Sequence, residues 1–86
     1  MLIEPKLTVN PIQVNHPPDD GYPHYRIIPL NEDAGKYHCL LFFVTASKFL
    51  VLAPRLKRYQ IINRLTALVE TAPLPVFEMK EPHENL

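Results

Sequence analysis

Glycine is nearly absent from this chain: Gly21 and Gly35 are the only two in 86 residues. A loop that cradles phosphate needs several glycines in close register, so nucleotide-binding motifs of that kind are excluded. Cysteine is scarcer still. Cys39 stands alone and can form no internal disulfide, which points to a reducing compartment and a cytoplasmic location. No serine is framed by glycines and no cysteine sits in an activating context, so a nucleophile for covalent catalysis is missing. Net charge is missing too: nine basic and nine acidic residues cancel, whereas a domain that holds nucleic acid by bulk charge carries a basic excess. The longest apolar run, residues 39–52, is broken by Thr45, Ser47 and Lys48 and falls short of the ~20 residues of a membrane-spanning helix. Glu4 and Pro5 stand where a signal peptide has its basic start and apolar core. The expectation is a protein that is not an enzyme, with no membrane segment.

Metal and cofactor sites are not expected either. His16, His24, His38, His83 and Cys39 are the available nitrogen and sulfur ligands. His38 and Cys39 are neighbours in a predicted strand, so their side chains point to opposite faces. His16 and His24 flank a proline loop without the paired spacing of a zinc site. Asp19 and Asp20 form a loop carboxylate pair, and adjacent side chains there diverge to cap turns.

What the chain does have is apolar content and proline. At 47% hydrophobic residues it folds, and at 86 residues it forms one small domain with a thin stability margin. Nine of the ten prolines lie outside residues 30–72; Pro54 alone falls within them. Residues 1–23 read as a proline-rich extended arm and loop, an edge strand at most, since proline removes a ladder donor. Residues 24–79 read as a ββαβ core, and 80–86 as a polar tail.

In that core, Tyr25, Ile27 and Ile28 favour a strand that Pro29 places at an edge or bulge. Residues 31–35 have the length and glycine of a hairpin connection. The unbroken run Leu40-Leu41-Phe42-Phe43-Val44 predicts a central strand buried on both faces. Residues 47–53 are ambiguous between strand and a short helical turn. Pro54 suits the first position of a helix, and Ile61, Ile62, Leu65, Leu68, Val69 and Ala72 then form its apolar stripe until Pro73 stops it. The fold class is α+β: an antiparallel or mixed sheet of three to four strands, covered on one face by a single helix over residues 54–72.

Between Lys48 and Arg64 lie five cations and no acid: Lys48, Arg55, Lys57, Arg58 and Arg64. A helix beginning at Pro54 would gather Arg55, Lys57 and Arg58 at its positive end, where cations repel the dipole and an anion is welcome. Tyr59 adds an aromatic face beside them; Tyr22, Tyr25 and Tyr37 are further stacking candidates that serve equally as half-buried packing residues. The candidate binding set is therefore Lys48, Arg55, Lys57, Arg58, Tyr59 and Arg64.

Residues Leu40 to Val44, Phe49, Arg58-Tyr59, Ile61-Ile62, Leu65, Leu68 and Val76 to Met79 follow one layout: buried strand, phenylalanine-containing turn, helix opened by a basic residue, short strand. Over residues 37–82 this resembles BolA-like proteins. The resemblance implies a fold of that kind. Leu50, Val51 and Leu52 stand where those proteins place a glycine. Tyr59 and Pro75 stand where they carry the histidines implicated in iron–sulfur ligation shared with glutaredoxins, so no cluster is implied here. The functional expectation is a binding or adaptor module that meets a protein partner or anion through its basic helix start. The alternatives are a KH-like nucleic-acid binder and a small structural subunit of a larger complex.

Overall fold

A computed structural model describes residues 12–14, 23–32, 36–45 and 47–80. Five strands and one helix follow in the order β1 (Ile12–Val14), β2 (His24–Pro29), β3 (Tyr37–Thr45), β4 (Lys48–Lys57), α1 (Arg58–Thr71) and β5 (Val76–Glu78). The strands form a single sheet in the order β1-β5-β2-β3-β4. Strands β2, β3 and β4 run as an antiparallel meander, whereas β5 is parallel to both β1 and β2. The sheet is mixed and has five strands rather than three to four. The added strand is β1, drawn from the arm and held at the edge by its pairing with β5. The rest of the arm, the His16–Tyr22 loop and the tail beyond Lys80 lie outside the described residues.

Strand β3 is buried on both faces, as its unbroken apolar run requires. Leu40 joins Tyr25, Ile27, Ala53, Val76 and the α1 residues Ile61, Ile62, Leu65 and Val69 in the larger core. Cys39, Leu41 and Phe43 point the other way and pack with Ile28. Pro29 ends β2 on the side facing β5. Tyr25 donates its N–H to Pro75 on that side, and alternation sends position 29 the same way, beyond the last pair Ile27–Glu78. The missing proline donor therefore interrupts no ladder bond.

The helix begins four residues later than Pro54 suggested. Pro54 lies in β4, an edge strand, within an irregular register between the Ala53–Leu40 and Leu56–His38 pairs. An edge bulge is one of the few strand positions where proline is tolerated. What starts α1 is Gln60, whose side-chain oxygen accepts the Lys57 N–H at 2.9 Å, half of a capping box. The helix ends at Thr71, one residue before the predicted end at 72, because Pro73 disfavours helical backbone at Ala72. The Ala72 N–H still reaches Leu68 O at 2.8 Å, and the Tyr25 hydroxyl donates to Ala72 O at 3.3 Å.

Candidate functional site

The later helix start redistributes the cations. Arg55 and Lys57 are strand residues, Lys57 being the helix cap, and Arg58 is the first helical residue. Arg55 donates Nε to Glu32 Oε2 at 2.7 Å and lies 3.7 Å from the centre of the Tyr37 ring. Its hydrogen bond to Glu32 holds the guanidinium above its ordinary pKa. Arg58 grips Glu78 with two bonds, Nε to Oε2 at 2.9 Å and Nη2 to Oε1 at 2.7 Å, which raise its pKa in the same way. Strand β5 thus carries a carboxylate to the start of α1, where the helix has no acidic residue of its own in its first turn. A basic helix terminus open to an external anion is not what these two arginines form.

Lys48, Lys57 and Arg64 remain. All three are exposed, and none has a carboxylate partner among the described residues. Lys48 opens β4 at the hairpin, where the Thr45 hydroxyl accepts the N–H groups of Ser47 and Lys48 and fixes the turn. Arg64 projects from α1 toward the same strand and donates to Leu52 O at 3.4 Å. Tyr59 is half-buried on α1.

The feature that cation counting missed is apolar. Phe49 (49% exposed), Leu50 (58%) and Val51 (49%) lie in succession on β4, with Val44 (41%) across the hairpin. Because β4 ends the sheet, its outer main-chain groups meet no other strand among the described residues. Two recesses flank it. One of about 500 Å³ is formed by Val44, Ser47, Lys48, Phe49 and Leu50 at the hairpin end. The other, about 290 Å³, lies between strand and helix and is lined by Leu40, Leu52, Arg64, Ala67 and Leu68. The sequence held one signal for this edge. Consecutive apolar residues on a strand point to both faces of the sheet, and they are all covered only where the strand has neighbours on both sides, as β3 does and β4 does not.

The remaining polar groups inside the sheet are structural. His38 and Cys39 do point to opposite faces. Cys39 is buried, and burial pushes its thiol pKa up. His38 Nε2 stands 3.9 Å from Glu78 Oε2, while its Nδ1 is buried without a hydrogen-bond partner. Burial lowers the His38 pKa and outweighs the opposing pull of Glu78. On the other face His24 stacks on Phe43 at 5.0 Å, meets Phe77 edge-on at 5.5 Å, and accepts the Arg26 Nε–H at 2.9 Å. Arg26 lies 4.1 Å over the Phe43 ring, and its desolvation lowers its pKa. Tyr25 and Tyr37 are packing residues, one in the core and one beneath Arg55; Tyr22, His16 and His83 lie outside the described residues.

Among the described residues no three His, Cys, Asp or Glu side chains gather as metal ligands, and no helix is long and apolar enough to cross a membrane. No family model, no curated protein and no solved structure matches the chain.

Proposed function

We propose that this protein is a non-enzymatic binding module that meets a protein partner along the outer edge of β4. One observation carries the reading: an edge strand that, among the described residues, pairs with nothing on its outer side and exposes Phe49, Leu50 and Val51 in succession. Exposed apolar side chains are ordinary when scattered, but a contiguous row on an edge is a template for another chain, which folded proteins normally blunt. Here the blunting is uneven. Pro54 and two register irregularities guard the helix-proximal half of β4, while the hairpin half has Lys48 and a single irregularity opposite Phe49 and Lys48. Lys57 and Arg64 belong to this surface from the expected basic set; Arg55 and Arg58 serve the fold through Glu32 and Glu78.

The test is a pull-down from the native cell with the wild-type chain, Leu50→Lys and Arg55→Gln/Arg58→Gln. A protein recovered by the wild type and by the arginine variant, but lost with Leu50→Lys at unchanged melting temperature, supports the reading. Loss with the arginine variant alone, while its circular dichroism spectrum remains that of the folded chain, returns the site to the helix start. Recovery of nucleic acid that falls steeply with salt would favour the KH-like alternative.

A further inference from the structure

Resting on that reading, we propose that the hairpin half of β4, residues 48–51, takes up an extended acidic–apolar segment of another protein as a sixth strand of the sheet. Strand addition draws affinity from main-chain hydrogen bonds and specificity from pockets that receive alternate side chains. Both parts are present. Among the described residues the edge is open, and a recess flanks β4 at the hairpin end and on its helix side. The lining of each is apolar except for Ser47 and one cation: Lys48 in the first, Arg64 in the second.

Charge selects the occupant. Strand β4 holds Lys48, Arg55 and Lys57 and no acid, Arg64 stands beside it, and Glu32 neutralises only Arg55. A second copy pairing edge to edge would bring two such basic strands together, and like charges across paired strands are destabilising. An incoming strand with apolar side chains for the recesses and carboxylates for Lys48 and Arg64 meets no such opposition. Residues with free carboxylates interleaved by valine or isoleucine have the required chemistry. A partner strand of about five residues makes a small interface, of the class below ~1,200 Å² that serves transient association.

The experiment selects peptides from a random twelve-residue display library on the immobilised chain, on Lys48→Glu/Arg64→Glu and on Leu50→Lys. The wild type is expected to enrich sequences with at least two acids among β-branched residues. Synthetic versions of the enriched peptides should bind on the order of tenfold more weakly to the double charge reversal, a difference of about 1.4 kcal/mol. Of the peptide's two central positions, proline should abolish binding at the one whose N–H faces β4 and be tolerated better at the other, because only the first donates to the edge. Enriched peptides without acid preference that still depend on Leu50 would overturn the acidic partner and leave the edge reading standing. No enrichment over a bare surface, or peptides indifferent to Leu50→Lys, would overturn the sixth strand itself. Concentration-dependent dimerisation in sedimentation, removed by Leu50→Lys, would assign the edge to a second copy instead.

Discussion

Replacing Leu65 with alanine tests the central packing claim of the fold. Leu65 is fully buried (0% exposed) in the middle of α1, between Ile61 and Ile62 on one turn and Val69 on the next. The substitution removes three carbons, which at ~0.8 kcal/mol per buried methylene is about 2.4 kcal/mol of transfer free energy. A cavity that the surroundings fill only partly raises the loss to ~3–5 kcal/mol. Among the described residues α1 is the only helix, and its partners are anchored in strands, so little can slide in to close the gap. Stability of ~0.05–0.15 kcal/mol per residue gives a chain of this size about 4–13 kcal/mol in total. At ~4–8 °C per kcal/mol, the melting temperature should fall by at least about 12 °C. Urea denaturation followed by circular dichroism should show a lower midpoint at unchanged slope. Leu68→Ala is the internal control, because Leu68 is only half-buried and should lose clearly less. A loss at Leu65 below ~0.5 kcal/mol, the range of ordinary surface changes, would refute the placement of the helix face.

Arg58→Ala removes two charge-assisted bonds to a largely buried carboxylate and should destabilise by ~1.5–3 kcal/mol, whereas Glu32→Gln, in an exposed pair, should change stability much less; equal losses in chemical melts would contradict the ranking. Cys39 should resist a thiol reagent in the folded state and react only on unfolding, given its burial and raised pKa, and rapid labelling of the native chain would refute that. His38 gives a signed pH dependence. Its folded pKa is lowered, so the unfolded chain binds the proton more readily; its contribution is fully present above pH ~6.5 and is lost as pH falls from there toward the depressed folded value. The wild type should therefore weaken between pH 7.5 and 5.5 more than His38→Gln does, and parallel losses in urea melts would exclude His38 as the cause.

The elements most legible in the sequence were those with strong periodicity. Ile61, Ile62, Leu65 and Val69 declare a helix stripe, and all four are buried; Leu40 to Phe43 declare a strand with both faces covered. Pro73 stopped the helix within one residue of the predicted end. Pro54 misled, because the same ring that suits a helix's first turn also suits an edge-strand bulge, and only the register with β3 separates the two. That one residue moved Arg55 and Lys57 off the helix and dissolved the expected anion cluster. The pairs Arg58–Glu78 and Arg55–Glu32 link residues 20 and 23 positions apart, and no local pattern announces them. The apolar edge was visible as composition but not as exposure, since burial depends on whether another strand lies alongside.

The placement of β5 between β1 and β2 fixes the order in which the sheet can be completed. Strands β2, β3 and β4 need only near neighbours and can form as soon as they are synthesised. Strand β1, though earliest in the sequence, has no neighbour in the sheet until β5 arrives. Pairing of such distant segments is slow, because the intervening chain must be ordered before the contact is made. On a ribosome working from the N-terminus, residues 12–14 would wait for β5 while β2, β3, β4 and α1 were laid down. Until then the nascent sheet would present two open edges, β2 on one side and β4 on the other. Completion closes the β2 edge and leaves β4 as it was from the first moment of folding.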